Sequence, residues 1–161
     1  DSKSKGDPFY TSIKVFNILG YALTADSPSK SKVQKFLSEQ DFMVMSRDRL
    51  IAEADKKMKS VVPNYKPPKK MVINLPGPAV MPSMIAILEN LFESKKIKEH
   101  GVTVGKKLGF MLSGGNTKIS QLMTENQLLD LEREVFLELI EMPLTQERIK
   151  HTLETGKPLF N

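Results

Sequence analysis

The sequence predicts a mainly α-helical protein of about six or seven helices, in one or two small lobes, with at most one short strand. Apolar residues recur at intervals of three and four along several stretches, which is the helical period. Alternating apolar and polar runs, typical of half-buried strands, are nearly absent. With 161 residues, 40% hydrophobic and 27% charged, the chain is long and apolar enough to bury a core.

Three helices are predicted in the first part of the chain. The first covers about 9–22, with Pro8 in its first turn, and a short one covers about 29–37. Ser46 is the predicted N-cap of the third helix. The apolar side chains of this third helix fall on one face: Leu50, Ala54, Met58 and Val61.

A segment rich in proline and lysine separates two predicted helical lobes. Because proline breaks helices, residues 63–80 are predicted to be a linker between lobes at 1–62 and 81–161. Within this linker, 71–75 is either a short strand or an extended stretch.

Four helices are predicted in the second lobe. The second of them ends at the glycine pair 114–115, which favours a C-cap. Thr124 and Gln127 have the spacing of a capping box at the start of the longest helix. Thr145 is predicted to open the last helix, and Gly156 to end it.

Neither a metal site nor a complete catalytic site is predicted. There are no cysteines, and the two histidines, His100 and His151, lie in polar stretches where a surface position is expected. The acidic residues between Glu125 and Glu141 are interpreted as a solvated helix face with ion pairs to Arg133. We therefore assign no catalytic, cofactor-binding or metal-binding residue, and the substrate-binding residues stay unknown.

Three glycines repeat every four residues, at Gly101, Gly105 and Gly109. This spacing places them on one side of a helix, where a second helix can approach closely, and close approach of a ligand is the alternative. The segment lacks the spacing and the Ser/Thr of a phosphate-binding loop.

The net charge of +5 comes from lysines spread along the chain. A solvated lysine surface is the simpler interpretation, and coenzyme A phosphates held by lysines are an alternative. Nucleic-acid binding is not predicted, because no basic stripe is interleaved with aromatic residues. A membrane span is not predicted either, since no apolar run approaches the ~20 residues required.

The first seven residues, DSKSKGD, lack an initiator Met and an apolar signal core. We interpret this end as an internal cut or a processed terminus. The absence of cysteine favours a reduced compartment, and the expected location is the cytoplasm.

Several motifs resemble one protein family. They are the segments DLEREVFL at 130–137, TQERIKH at 145–151 and GKPLFN at 156–161, together with SRDRLIAEA at 46–54 and the stretch from GKKLG to LSGG at 105–115. These segments resemble the C-terminal region of bacterial multifunctional fatty-acid β-oxidation proteins. Such proteins join a 3-hydroxyacyl-CoA dehydrogenase to an enoyl-CoA hydratase of the crotonase superfamily. The family usually has Arg where Phe160 stands.

The resemblance implies a helical domain that follows a crotonase-like core in a longer parent enzyme. The parent would use NAD and acyl-CoA substrates, whereas this chain alone would be inactive. Its implied role is structural: to close the acyl-CoA pocket or to make subunit contacts. Its implied partners are the upstream catalytic domains, acyl-CoA through the parent, and a further copy in a homo-oligomer.

An independent helical protein-interaction module is the alternative function. The amphipathic helix from Thr124 to Glu141 favours this hypothesis, because such a helix can present an apolar face to a partner.

Overall fold

A computed structural model describes residues 6–161, and this range is mainly helical, as predicted. The described residues form seven α-helices and two strands in the order α1 (Pro8–Gly20), α2 (Pro28–Val33), α3 (Leu50–Val61), β1 (Val72–Leu75), α4 (Met81–Glu93), α5 (Glu99–Ser113), β2 (Gln121–Thr124), α6 (Glu125–Ile140) and α7 (Pro143–Thr155). Three short 3₁₀ helices lie at Arg47–Arg49, Val62–Asn64 and Pro78–Val80. The end interpreted as a cut or processed terminus lies largely outside the described residues.

The chain divides into two compact units. One contains the described residues 6–22 together with 70–161, and the other contains 23–69. The later boundary, between residues 69 and 70, falls inside the predicted linker at 63–80. The assignment of 1–62 and 81–161 as separate domains stays a prediction.

The larger unit has an apolar core between α1, α4 and α5. Phe16 of α1 is 2% exposed, and Val80 and Met84 are fully enclosed. Leu88 and Leu112 complete this cluster. Helix α1 therefore packs on helices that lie more than sixty positions later in the sequence, a long-range contact that periodicity alone does not reveal.

A small antiparallel sheet joins β1 to β2, with Val72 opposite Thr124 and Leu75 opposite Gln121. The strand at 71–75 is one of the two predicted alternatives. The second strand, Gln121–Thr124, was not predicted, because four residues leading directly into a helix carry too little alternation to indicate a strand.

Helix ends in the larger unit follow their capping residues. The Asp7 carboxylate accepts from the Phe9 amide at 2.8 Å, so α1 begins at Pro8. The predicted capping box is confirmed: the Thr124 hydroxyl accepts from the Gln127 amide, and the Gln127 side chain accepts from the Thr124 amide. Gly114 and Gly156 end α5 and α7 in the left-handed conformation, as predicted.

The smaller unit has no buried residue. The N-cap prediction for Ser46 is wrong: its side chain makes no capping hydrogen bond, because the turn Arg47–Arg49 is a 3₁₀ helix that precedes α3. The apolar face of α3 is present but exposed, with Leu50 and Met58 each about half accessible. Helix α2 ends at Val33, before Lys35, whose φ is +68°.

Candidate functional site

A cavity in the larger unit lies between α1, α4, α5, α7 and the C-terminal residues. Its volume is about 620 Å³. The walls are mainly apolar, and two cationic side chains, Lys98 and Arg148, belong to the lining. The other lining residues are Phe16, Asn17, Leu19, Gly20, Tyr21, Ala22, Ile87, Leu88, Leu91, Ile97, Gly101, Val104, Gly105, Leu108, Thr152, Pro158, Leu159 and Phe160.

The glycine repeat of α5 shapes both the helix packing and the cavity. A Cβ on Gly105 would collide with the Leu88 side chain, and one on Gly109 would lie 3.3 Å from the sulfur atoms of Met81 and Met84. The predicted helix packing is therefore confirmed at these two positions. Gly101 and Gly105 also line the cavity, so the alternative of close ligand approach stays open.

The C-terminal residue fastens the end of the chain to α7. Asn161 Oδ1 accepts from Arg148 Nε at 2.7 Å, and the Asn161 main-chain oxygen accepts from Arg148 Nη2 at 3.1 Å. Asn161 Nδ2 donates to the Leu144 carbonyl at 3.0 Å and to a Glu147 carboxylate oxygen at 3.1 Å. These four hydrogen bonds, which we call the Asn161 latch, hold Leu159 and Phe160 at the cavity wall.

Partial burial changes the chemistry of Arg148. Desolvation lowers the pKa of this guanidinium from its ordinary value. The guanidinium lies among apolar cavity residues, where an approaching anion would meet less competition from water than at an open surface.

His100 is buried, so the predicted surface position is wrong. The residue is 4% exposed, and its ring Nε2 lies 2.9 Å from Thr145 Oγ1. Desolvation is the main cause that lowers the pKa of His100, the charge of Arg148 lowers it further, and Glu147 raises it in part. The polar neighbours of His100 in the sequence concealed this contact, because its partner lies 45 positions away. His151 is half-buried.

The acidic side chains of α6 are exposed, as predicted. Arg133 Nη2 lies 2.8 Å from Asp130 Oδ1, and Lys107 pairs with Glu138. No group of three His, Asp or Glu side chains in the described residues is arranged to hold a metal ion. No helix within residues 6–161 is long and apolar enough to cross a membrane.

The sequence did not predict the cavity, although its residues come from segments that were predicted as helices. The terminal motif GKPLFN was the available signal, because it contains Pro158, Leu159, Phe160 and the latch residue Asn161.

Comparison with known proteins gives a partial match. No protein family model and no solved structure matches the chain. It is 30% identical, over 156 residues, to the "Probable 3-hydroxyacyl-CoA dehydrogenase" of Bacillus subtilis (strain 168). The match covers 96% of this chain and 20% of that protein. The chain is therefore similar to a part, about one fifth of the length, of a protein named as a 3-hydroxyacyl-CoA dehydrogenase.

Proposed function

We propose that this chain is a helical domain of a 3-hydroxyacyl-CoA dehydrogenase that acts in fatty-acid β-oxidation. The observation that carries the proposal is the similarity along 96% of the chain to part of a protein with that name. The domain would not perform the chemistry. It would pack against the catalytic domains of the parent enzyme, and help to close their acyl-CoA pocket or form a subunit contact.

The surface of α6 and α7 supports a packing role. Five apolar residues form what we call the α6–α7 face: Leu129, Phe136, Ile140, Ile149 and Leu153. Leu129, Phe136 and Ile140 follow one another at helical spacing along α6. Ile140, Ile149 and Leu153 line a shallow groove beside α7.

Much of this face is accessible. Phe136 is 53% exposed and Leu153 is 82% exposed. A contiguous apolar surface of this kind marks a site of protein contact, because its burial removes apolar area from water. A neighbouring domain of the parent enzyme would supply the matching surface.

The terminal motifs support a finer version of the proposal. They resemble the end of proteins in which the dehydrogenase is joined to an enoyl-CoA hydratase with a crotonase core. In this version the parent has two activities, and its catalytic residues and NAD site all lie outside residues 1–161.

Activity of the full encoded polypeptide tests both versions. The NAD-dependent oxidation of a 3-hydroxyacyl-CoA and the hydration of crotonyl-CoA would be measured with and without residues 1–161. We expect both activities in the whole protein, and loss of at least one on truncation. Oxidation without hydration would support the dehydrogenase assignment and exclude the finer version, in which the parent is also an enoyl-CoA hydratase. If the whole protein shows neither activity, the proposal is contradicted.

A pair of point variants separates a packing role from general damage by truncation. In the full polypeptide, Phe136→Glu places a charge on the α6–α7 face, whereas Glu132→Gln alters an exposed residue of the same helix without adding an apolar or buried contact. We expect Phe136→Glu to loosen the domain, seen as faster proteolysis at its boundary, and Glu132→Gln to behave as the parent. Equal proteolysis of both variants would contradict a packing role for this face.

An independent interaction module is the second candidate function. The same exposed α6 residues favour it, because an amphipathic helix with an accessible apolar stripe can bind a separate protein. It requires a stable complex of defined stoichiometry with a protein outside β-oxidation. If affinity purification recovers β-oxidation proteins alone, the independent interaction module is contradicted.

A further inference from the structure

The cavity beside Arg148 lies outside the α6–α7 face on which the proposed packing role rests. Its volume of about 620 Å³ lies within the ~300–1,000 Å³ range of small-molecule sites. Its lining residues all belong to the larger compact unit.

The walls are suited to an aliphatic chain. Phe16, Leu88 and Leu91 line the cavity and are all buried. Tyr21 is 49% exposed and Phe160 is 64% exposed, so these two lining residues lie where the cavity meets solvent. An elongated apolar ligand that lies along these walls would be removed from water, while its polar end stays near the exposed residues.

The charges select the sign of that polar end. Lys98 and Arg148 line the cavity, and none of its lining residues is acidic. Two acceptors already lie beside this end of the cavity: the Asn161 main-chain oxygen accepts from Arg148 Nη2 at 3.1 Å, and a Glu147 carboxylate oxygen accepts a hydrogen bond from Asn161. A single-chain ligand with an anionic head group therefore complements the cavity, and a cationic one does not.

The Asn161 latch supplies part of the wall. Its hydrogen bonds engage Nε and Nη2 of Arg148 and hold the segment that contains Leu159 and Phe160. The guanidinium is thereby fixed in one orientation before a ligand arrives, which reduces the entropy lost on binding.

We propose that the cavity between α1, α4, α5 and the C-terminal segment binds a single-chain amphiphile with an anionic head group. The aliphatic chain lies along the walls formed by Leu88, Leu91 and Val104. Arg148 and Lys98 attract the head group.

Calorimetric titration of the 161-residue chain with octanoate, decanoate and dodecanoate, each below its micelle-forming concentration, tests the apolar part. We expect saturable binding of one ligand per chain. The affinity should rise about fourfold for each methylene that the cavity buries, since one buried methylene is worth ~0.8 kcal/mol. Absence of saturable binding at every chain length would overturn the proposal.

Head-group charge is tested with ligands that share one chain. At least one anionic ligand, dodecanoate or dodecanoyl-CoA, should bind more tightly than dodecyltrimethylammonium, and equal affinities of all three ligands would overturn the proposal. Dodecanoyl-CoA then separates a carboxylate from a coenzyme A phosphate as the source of the anion. Tighter binding of either anionic ligand than of the cationic ligand agrees with the proposed chemistry.

Charge reversal at Lys98 tests whether this cavity, and not another surface, binds the ligand. Lys98→Glu should weaken dodecanoate binding by roughly three- to tenfold and strengthen dodecyltrimethylammonium binding. Lys106→Glu is the matched control, because Lys106 is an exposed residue of α5 that does not line the cavity. Circular dichroism would verify that both variants fold. Equal effects of the two variants on both ligands would overturn the proposal.

These results are independent of the enzymatic assays. If the enzymatic assays contradict the dehydrogenase assignment, the expected titration results do not change. If the titrations show no binding, the proposed packing role of the α6–α7 face is not contradicted.

Discussion

His100 shows how one buried side chain couples stability to pH. Its surroundings lower the pKa in the folded state below the ordinary value of 6.5, so the unfolded chain binds more protons in the interval between the two values. The contribution of His100 to stability is therefore fully present above pH 6.5, and it is lost as the pH falls from there toward the lower pKa of the folded state.

We expect His100→Gln to remove this part of the pH dependence. Urea denaturation at about pH 7.5 and about pH 5.5 would give the free energy of unfolding above and below the ordinary histidine pKa. The wild type should lose more stability than His100→Gln on acidification. His151→Gln serves as the control, since it retains His100. Equal losses in the wild type and in His100→Gln would show that His100 does not carry the effect.

Gly105 is a second position where a single side chain decides packing. An added Cβ would collide with Leu88 Cδ2 and would also lie 2.9 Å from Leu88 Cδ1, and Leu88 is itself only 5% exposed. Overpacking of a core costs about 1–3 kcal/mol. Replacing glycine by alanine within a helix raises the free energy of unfolding by roughly 0.5–1 kcal/mol, because alanine has the higher helix propensity.

The packing cost is the larger of the two, and we expect Gly105→Ala to lower the free energy of unfolding by about 1 kcal/mol. Gly20→Ala is the matched control, because nothing lies within 4 Å of its added Cβ. It should raise stability by a few tenths of a kcal/mol, or up to about 1 kcal/mol. Thermal or urea denaturation measures both, and a stabilised Gly105→Ala would contradict the close packing of α5 on α4.

At the scale of the element, the start of α6 depends on a local motif. The Thr124 hydroxyl satisfies the Gln127 amide, and the Gln127 side chain satisfies the Thr124 amide at 2.9 Å. Thr124→Ala leaves one of these donors without its partner, and should cost about 1 kcal/mol of unfolding free energy. Thr103→Ala, within α5, should change stability by less than about 0.5 kcal/mol. Equal losses would mean that the capping box does not stabilise α6.

The helices also show which features local sequence can reveal. The capping box and the glycine C-caps act within three or four residues, and the sequence identified them correctly. Ser46 has the right residue type for a cap, yet a 3₁₀ turn stands between it and α3. Residue type alone does not fix which residue begins the helix, because the backbone between cap and helix must also adopt the required turn.

At the scale of the whole molecule, we expect the α6–α7 face to control self-association of the isolated chain. In the isolated chain, each large side chain that becomes buried contributes about 1.5–3 kcal/mol. We expect the wild-type chain to self-associate with increasing concentration in sedimentation velocity. The double variant Phe136→Glu with Leu153→Glu should weaken this association at least about tenfold, since ~1.4 kcal/mol corresponds to one decade.

Val33→Glu is the control for that experiment, because Val33 is 76% exposed and belongs to the other compact unit. It should retain the association of the wild type. A wild-type chain that stays monomeric at every concentration would contradict the expected role of the α6–α7 face.

The sequence by itself determined the mainly helical class, the amphipathic faces, the C-caps of α5 and α7, the N-cap of α6, and the resemblance of the terminal motifs to a β-oxidation protein. These features depend on residues within a few positions of one another. The predicted start of α7 at Thr145 is wrong, because Pro143, interpreted as a helix stop, instead occupies the first turn of α7. Tertiary structure alone decided that α1 packs with α4 and α5, that His100 is buried against Thr145, and that Arg148 and Lys98 share an apolar cavity. Each of those results joins residues far apart in the chain, and helical periodicity specifies which face of a helix is apolar but not which surface that face will meet.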